Sequence, residues 1–350
     1  MDDLDKKLLN TLQRPIPLVP RPFAEIGGRY GIGEEEVIER IRRLKETRIL
    51  RQISAIFDTR SLGYKSSLVA MKVPRERVDE AAEVVNQHPG VSHNYKRSHA
   101  YNLWFTIACP PTSDLERTVQ RLHELSGTEV TRILPTLKLF KIGVELDMTG
   151  QEDPTRQKEP AYHEAKRRKD GGRELTKEDI AAIQELQGDL DLVPRPFEAA
   201  ARRLGWTEED LLARAQALQE KGYMRRFSAV LHHREAGFKA NAMGVWAVPS
   251  ERTDEVGPQM ASFQAVSHCY LRPTYEDWPY SIFTMVHGRT VKDCQKILDA
   301  ISEKTGIKDY AVLYSTKEYK KVRLKYFTPE LDEWERKHLG EAERVLQQGG

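Results

Sequence analysis

The chain carries the same six-residue motif twice, and this repeat constrains its fold more than any other feature. Leu18–Phe23 reads LVPRPF, and Leu192–Phe197 repeats it 174 positions later. A duplicated structural unit explains such a repeat most simply. At the same spacing, or with one residue more, identical residues follow in the same order: Gly31 and Gly205, Arg51 and Arg225, Ser54 and Ser228, Ala55 and Ala229, Gly63 and Gly237, Pro74 and Pro249, His93 and His268, Tyr95 and Tyr270, Arg97 and Arg272.

Both halves show the same order of predicted elements. Leu4, Leu8, Leu9 and Leu12 form a helical stripe, Pro22 marks the start of a second helix, and GEEEVIERIRRLKET predicts a third. The segment ILRQISAIFD predicts a strand, so that three helices and a strand pair make a winged helix-turn-helix. The rest of each half alternates in the order βαββαβ, which is the ferredoxin-like arrangement.

The fold class predicted from this order is α+β, with a tandem repeat. Met148–Leu175 is charged, contains Pro and Gly, and lacks apolar periodicity, so it predicts an exposed linker. The predicted domains are a winged helix-turn-helix at 1–60, a βαββαβ domain at 61–148, a charged linker at 149–174, a second winged helix-turn-helix at 175–234, a second βαββαβ domain at 235–330, and a C-terminal tail at 331–350.

The overall charge gives no case for binding nucleic acid or an anionic membrane. The 55 Lys and Arg residues nearly balance the 53 Asp and Glu, for a net charge of +2. We expect no signal peptide, and no apolar run approaches the ~20 residues that cross a bilayer. Three cysteines without a CxxC pair argue against disulfides and against a thiolate metal site. We expect a cytoplasmic protein with reduced thiols and no metal site.

The order of elements resembles the Lrp/AsnC transcription regulators across nearly the whole of each half. A DNA reader places the N-terminus of its recognition helix against the major groove, where neutral or basic side chains are needed. Here that helix begins with Glu34, Glu35 and Glu36, and its repeat begins with TEED at 207–210. We therefore predict that the chain does not bind DNA.

A repeated triplet of polar residues provides the candidate chemistry. His93, Tyr95 and Arg97 alternate along a predicted strand, so they share one face. The second half repeats the triplet at positions 268, 270 and 272. Histidine can move protons or ligate a metal, and arginine binds carboxylates in bidentate fashion. A duplicated gene also copies structural residues, so a structural role for the histidines stays open.

Several motifs together resemble the siroheme decarboxylases. They are LVPRPF, RQISA and RRFSA, HNYKR with YNLWFT, and LYSTKEYKK. That family normally has two related subunits, and it belongs to the alternative heme and heme d1 pathways. The resemblance implies that carbon dioxide is removed from the C12 and C18 acetates of siroheme, giving 12,18-didecarboxysiroheme. We expect no cofactor, because the macrocycle can act as its own electron sink.

The resemblance and the triplets together assign roles to individual residues. His93 and His268 are the expected proton donors, and Tyr95 and Tyr270 are the expected orienting hydroxyls. The residues expected to bind the substrate are Arg51, Arg97, Arg225, Arg226, Arg272, His232 and His233. The extra cationic side chains Arg226, His232 and His233 favour the second half as the more active one. His287 is interpreted as structural, and Trp104, Phe105, Trp278 and Phe283 as core, with a wall against the macrocycle left open.

The expected partners follow from these assignments. Siroheme is the expected ligand, in a cleft between winged segment and α/β sheet or between the halves. The two halves should form an intramolecular pseudo-dimer with paired α/β sheets, and a further homodimer is left open. Two alternatives remain: a regulator that senses heme or another tetrapyrrole, and an amino-acid-responsive Lrp-like regulator. The acidic helices argue against the first, and the many aligned arginines against the second.

Overall fold

The computed structural model describes residues 1–142, 175–231 and 240–340. The predicted linker at 149–174 and the two histidines His232 and His233 lie outside these residues. The described residues divide into two compact units. The first unit comprises residues 1–64, 175–231 and 325–329, and the second comprises 65–142, 240–324 and 330–340.

The order of elements repeats as predicted. The first half contains α1 (Asp3–Leu12), α2 (Pro22–Gly28), α3 (Glu34–Glu46), β1 (Leu50–Phe57), β2 (Lys65–Lys72), α4 (Val78–Asn86), β3 (Val91–Arg97), β4 (Leu103–Cys109), α5 (Leu115–Ser126), β5 (Val130–Pro135) and β6 (Lys138–Ile142). The second half contains α6 (Lys177–Leu186), α7 (Glu198–Leu204), α8 (Glu208–Glu220), β7 (Met224–Leu231), β8 (Ala240–Trp246), α9 (Thr253–Ala261), β9 (Val266–Leu271), β10 (Ile282–Gly288), α10 (Val291–Thr305), β11 (Tyr310–Lys321) and α11 (Pro329–Leu339).

The first unit contains the winged helix-turn-helix segments of both halves. Capping boxes start α1, α6 and α8, where the cap side chain and the residue three positions later bond each other's backbone N–H groups. Each wing supplies one described strand, and β1 pairs with β7 in antiparallel fashion, with Ser54 opposite Ser228. The strand pair expected within each wing is therefore replaced, in the described residues, by a pair that joins the two halves.

The second unit contains the βαββαβ segments, which build one sheet from both halves. The order in this nine-stranded sheet is β5-β2-β4-β3-β11-β8-β10-β9-β6. This agrees with the predicted pairing of the two α/β sheets.

The last strand region of each half crosses to the other half. In the first half, β5 pairs with β2 of its own half, whereas β6 pairs with β9 of the second. In the second half, the long strand β11 pairs first with β8 of its own half and then with β3 of the first. Each half thus completes its sheet with a strand from the other.

Apolar cores cover both faces of this sheet. On the outer face, α4 and α5 pack on the first half around Phe105, and α9 and α10 pack on the second half around Trp246. The other face carries one cluster drawn from both halves, which includes Ala70, Trp104, Leu134, Met243, Phe283 and Leu313. We call it the inner face.

The C-terminal region differs from the predicted tail. Residues from Pro329 to Leu339 form α11, and Trp334 packs into the outer core of the first half. Its ring lies 4.4 Å from that of the buried His88. The apolar spacing of Leu331 and Trp334 is what makes this helix amphipathic. None of the helices in the described residues is long and apolar enough to span a membrane.

Candidate functional site

The two predicted triplets lie on the inner face of the sheet. On β3, the side chain of Asn94 bonds Ala82 and Asn86 of α4, so its neighbours along the strand point the opposite way. Tyr95 is paired in register with Trp104, which belongs to the inner cluster. Tyr270 is likewise paired with Phe283 of that cluster.

Within each triplet the histidine and tyrosine rings lie next to each other along the strand. The centroids of His93 and Tyr95 lie 6.3 Å apart with an interplanar angle of 30°. Those of His268 and Tyr270 lie 5.9 Å apart at 31°. The expected proximity of histidine and tyrosine is therefore present in both halves.

Each histidine is held by the serine that precedes it. Ser92 Oγ lies 2.9 Å from His93 Nδ1, and Ser267 Oγ lies 2.8 Å from His268 Nδ1. Neighbouring residues of a regular strand point to opposite faces, but both strands have a register shift here. A bulge re-aims side chains in this way. These serines are not among the residues predicted from the sequence, although the dipeptide SH stands in both halves.

The third members of the triplets, Arg97 and Arg272, are buried, with only 6% and 8% of their surface exposed. Arg97 Nη1 donates to the carbonyl oxygen of Leu313 at 3.1 Å, and Arg272 Nη1 donates to that of Leu134. Each guanidinium also lies against the tyrosine of its triplet, at 5.5 Å and 4.7 Å from the ring centroid. Each arginine therefore reaches across to the last strand region of the opposite half.

The charge of these two arginines is not neutralised by a described carboxylate. Neither arginine makes a salt bridge within residues 1–142, 175–231 and 240–340, and the buried Nε atoms of both have no hydrogen-bond partner there. Burial lowers the pKa of each guanidinium to about 10. Because a buried charge is costly unless it is paired, the arrangement favours an anionic ligand.

A second histidine joins the triplet of the second half. His287 Nε2 lies 2.7 Å from Ser267 Oγ, the same hydroxyl that contacts His268. His287 lies on β10, two residues after Met285 of the inner cluster. The structural role predicted for His287, from its place in the strand IFTMVHG, did not include this contact with Ser267.

The aromatic residues divide between the two faces. Phe105 lies in the outer core, whereas Trp104, Trp278 and Phe283 belong to the inner cluster. The ring centroid of Phe283 also lies 5.4 Å from the guanidinium carbon of Arg272. The inner aromatics therefore adjoin the triplet of the second half, and Phe105 does not.

The remaining candidate residues lie in the first unit. Arg51 and Arg225 are half-buried on β1 and β7, and Arg226 is exposed. Arg226 Nε donates to Ser228 Oγ at 3.0 Å. These arginines belong to the central strand pair of that unit.

The repeated LVPRPF motif pairs with the acidic start of the third helix in each half. Arg21 forms an ion pair with Glu34, and Arg195 forms the equivalent pair with Glu208. The acidic side chains are nearly buried, with exposed fractions of 9% and 3%. Glu34 and Glu208 therefore tie the LVPRPF segment of each half to the start of its third helix.

Within the part of the chain that the structure describes, no group of three His, Cys, Asp or Glu side chains is arranged to hold a metal ion. The three cysteines are buried, and no disulfide joins them. Burial raises the pKa of the Cys109 thiol to about 12.

Comparison with known proteins assigns both parts of the repeat. Residues 61–141 and 235–320 match the AsnC-like ligand binding domain. Residues 5–51 and 179–225 match the siroheme decarboxylase NirDL-like HTH domain. The chain thus consists of two helix-turn-helix segments and two AsnC-like domains, arranged as a tandem repeat.

Relatives match over nearly the full length. The siroheme decarboxylase of Hydrogenobacter thermophilus is 43% identical over 94% of this chain and 96% of that protein. The siroheme decarboxylase NirDL subunit of Paracoccus denitrificans is 35% identical over 91% and 95%. A crystal structure of the siroheme decarboxylase NirDL superposes with a TM-score of 0.77 at 38% identity, covering 98% of this chain and 99% of that one. A second one, in complex with an iron-uroporphyrin III analogue, gives a TM-score of 0.76 at 38% identity, over 95% and 98%.

The chain belongs to the siroheme decarboxylase family. Its relatives are named as enzymes, which favours the predicted carboxy-lyase over both regulator alternatives.

Proposed function

We propose that this chain converts siroheme into 12,18-didecarboxysiroheme by removing the carboxyl groups of the C12 and C18 acetates. Full-length relatives named siroheme decarboxylase support the reaction, and the NirDL complex with an iron-uroporphyrin III analogue supports an iron tetrapyrrole as the ligand. In a relative from Methanosarcina barkeri, the beta subunit corresponds to 42% of this chain. The two halves are accordingly proposed to act as an intramolecular pseudo-dimer.

One observation supports this proposal most strongly. In each half a histidine, a tyrosine and a buried arginine share one face of one strand, and neither arginine is paired with a described carboxylate. A polycarboxylate ligand supplies the missing negative charge. The same strand face then carries the proton-donating histidine and the anion-binding arginine, with only the tyrosine of the triplet between them.

The proposed step requires a proton but no electron donor or acceptor. The bond between the acetate methylene and its carboxylate breaks, carbon dioxide leaves, and the electron pair remains on the methylene carbon, spread into the macrocycle. The imidazolium of His93 or His268 then donates the proton that completes the methyl group. We therefore expect no cofactor besides the substrate's own macrocycle.

The other residues bind and orient the substrate in this proposal. Tyr95 and Tyr270 supply orienting hydroxyls beside the histidines. The arginines hold the carboxylates that are retained, since charge-assisted contacts are stronger than neutral ones. The proposed set comprises Arg51, Arg97, Arg225, Arg226 and Arg272, with His232 and His233 assigned from the sequence alone.

Anaerobic incubation of the purified chain with siroheme, followed by mass spectrometry, tests the reaction. The expected product has lost two carbon dioxide units, and a species that has lost one should appear first and then decay. The double variant His93→Ala/His268→Ala, shown to be folded by circular dichroism, is the matched control. Siroheme that stays intact with the parent chain under these conditions would refute the proposed function.

A further inference from the structure

The second half contains a chain of three hydrogen-bonding side chains on the inner face. Ser267 Oγ lies between two imidazoles, 2.8 Å from His268 Nδ1 and 2.7 Å from His287 Nε2. The serine is almost fully buried, at 3% exposure, so water does not compete freely for its hydroxyl. The carbonyl oxygen of Met285 also lies near this hydroxyl, at the longer distance of 3.3 Å.

The first half lacks the third member of this chain. Tyr95 pairs with Trp104 as Tyr270 pairs with Phe283, so β4 and β10 align at a spacing of 179 residues. This register places Ala108 where the second half has His287. The methyl group of alanine can neither donate nor accept a hydrogen bond.

A hydroxyl has one proton to donate, and Ser267 can donate it to His287 Nε2 at 2.7 Å or to the carbonyl oxygen of Met285 at 3.3 Å. When Ser267 donates its proton to His287 Nε2, its oxygen can accept the Nδ1–H of His268. Hydrogen bonds to the charged form of a group favour that form, so this arrangement supports the imidazolium of His268. His268 would thus be a proton-transfer residue that Ser267 orients, with Ser267 in turn oriented by His287.

We infer that His287 is a positioning residue that acts through Ser267 on His268 and makes the second half the faster proton donor. The inference rests on the proposed function, because it assigns His268 to proton delivery. It attributes the greater activity expected of the second half to a residue within the described sheet. His287 itself contacts Ser267 and is not proposed to contact the reacting carbon.

Substitution of His287 tests this directly, with turnover of siroheme and siroheme binding measured on the full chain. The variant His287→Ala should lower kcat about ten- to a hundredfold, as loss of a hydrogen bond to a charged group does, with KM and binding by absorbance little changed. The variant His287→Gln should recover most of this rate, because its amide oxygen can accept the Ser267 proton. A merely structural role predicts no such rescue.

Two further variants keep the test independent of folding defects at position 287. Ser267→Ala should slow turnover as much as His287→Ala, and the double variant should be no slower than either, because both changes interrupt one chain. Ser92→Ala is the matched control in the first half and should have the smaller effect. Equal kcat in the parent and His287→Ala, or equal losses in His287→Ala and His287→Gln, would overturn the inference. A parent chain that does not turn over siroheme would instead refute the proposed function.

Discussion

Arg97 donates a hydrogen bond from Nη1 to the carbonyl oxygen of Leu313, 3.1 Å away, and so ties β3 of the first half to the last strand of the second. Arg272 makes the equivalent bond to Leu134. The two arginines thus occupy the positions where the halves exchange strands. Each has a further buried N–H group that no described residue accepts.

Replacing Arg272 by Met should weaken siroheme binding far more than it weakens the fold. The lost backbone hydrogen bond costs about 1 kcal/mol, and removal of an unpaired buried charge offsets part of this. We expect the free energy of unfolding of the ligand-free chain to change by less than about 2 kcal/mol, and siroheme affinity to fall at least about tenfold. Absorbance titration and urea denaturation measure the two effects, with Arg97→Met as the counterpart. Parent-like affinity in Arg272→Met would assign this arginine to structure alone.

Replacing Lys141 by Met should loosen the exchanged strand β6. Its buried ammonium donates to the carbonyl oxygen of Phe263 at 2.8 Å, and Lys320 makes the corresponding bond to His88 in the first half. We expect a loss of about 1.5–3 kcal/mol in the free energy of unfolding, as for hydrogen bonds to charged groups. Lys138→Met is the control on the same strand, because its ion pair with Asp254 is exposed and worth less than about 1 kcal/mol. Equal losses in the two variants would contradict this account.

Acid should destabilise the chain partly through His88. Burial, followed by the charges of Lys320 and His338, lowers the pKa of His88 to about 3. The unfolded state therefore binds a proton below about pH 6.5 that the folded state does not bind until about pH 3, and stability falls as the pH drops through this range. This contribution is absent above pH 6.5, where His88 is neutral in both states.

The variant His88→Phe should remove this contribution, and it introduces the residue type that Phe263 supplies at the equivalent position of the second half. Between pH 7.5 and 4.5 the parent should lose about 2–3 kcal/mol more than the variant in the free energy of unfolding. Urea denaturation of both proteins at the two pH values measures the difference. The same loss in both proteins would show that His88 is protonated without penalty.

The chain should not bind double-stranded DNA specifically at physiological salt. Glu34 and Glu208 stand at the start of the helices that would enter the groove, where their charge opposes that of phosphate, and they form ion pairs with Arg21 and Arg195. A mobility-shift assay with genomic fragments should show no discrete complex. Nanomolar, sequence-specific binding of DNA would contradict this prediction and would favour a transcription regulator.

Part of this structure could be predicted from the sequence because local signals mark it. The repeat of LVPRPF, the helix starts and the spacing of His93, Tyr95 and Arg97 all depend on short segments. They predicted the tandem fold and the shared face of each triplet. The comparison with relatives confirmed the family.

The rest depends on contacts between distant segments. No local signal shows that β11 changes partner after Tyr314, or that Arg97 meets Leu313. The bond from His287 to Ser267 likewise depends on the packing of two strands. Trp334 could have indicated α11, since a large apolar residue at helical spacing is unusual in a tail.

The roles of His93 and His268 form the central claim, and turnover of siroheme by their alanine variants tests it most directly. We expect His268→Ala to lose about 10²–10⁴-fold in rate, the usual contribution of a general acid, while siroheme binding stays detectable by absorbance. His93→Ala should be slowed less, because the first half has Ala108 in place of His287. If both variants convert siroheme at the parent rate, the histidines are structural and the assignment is wrong.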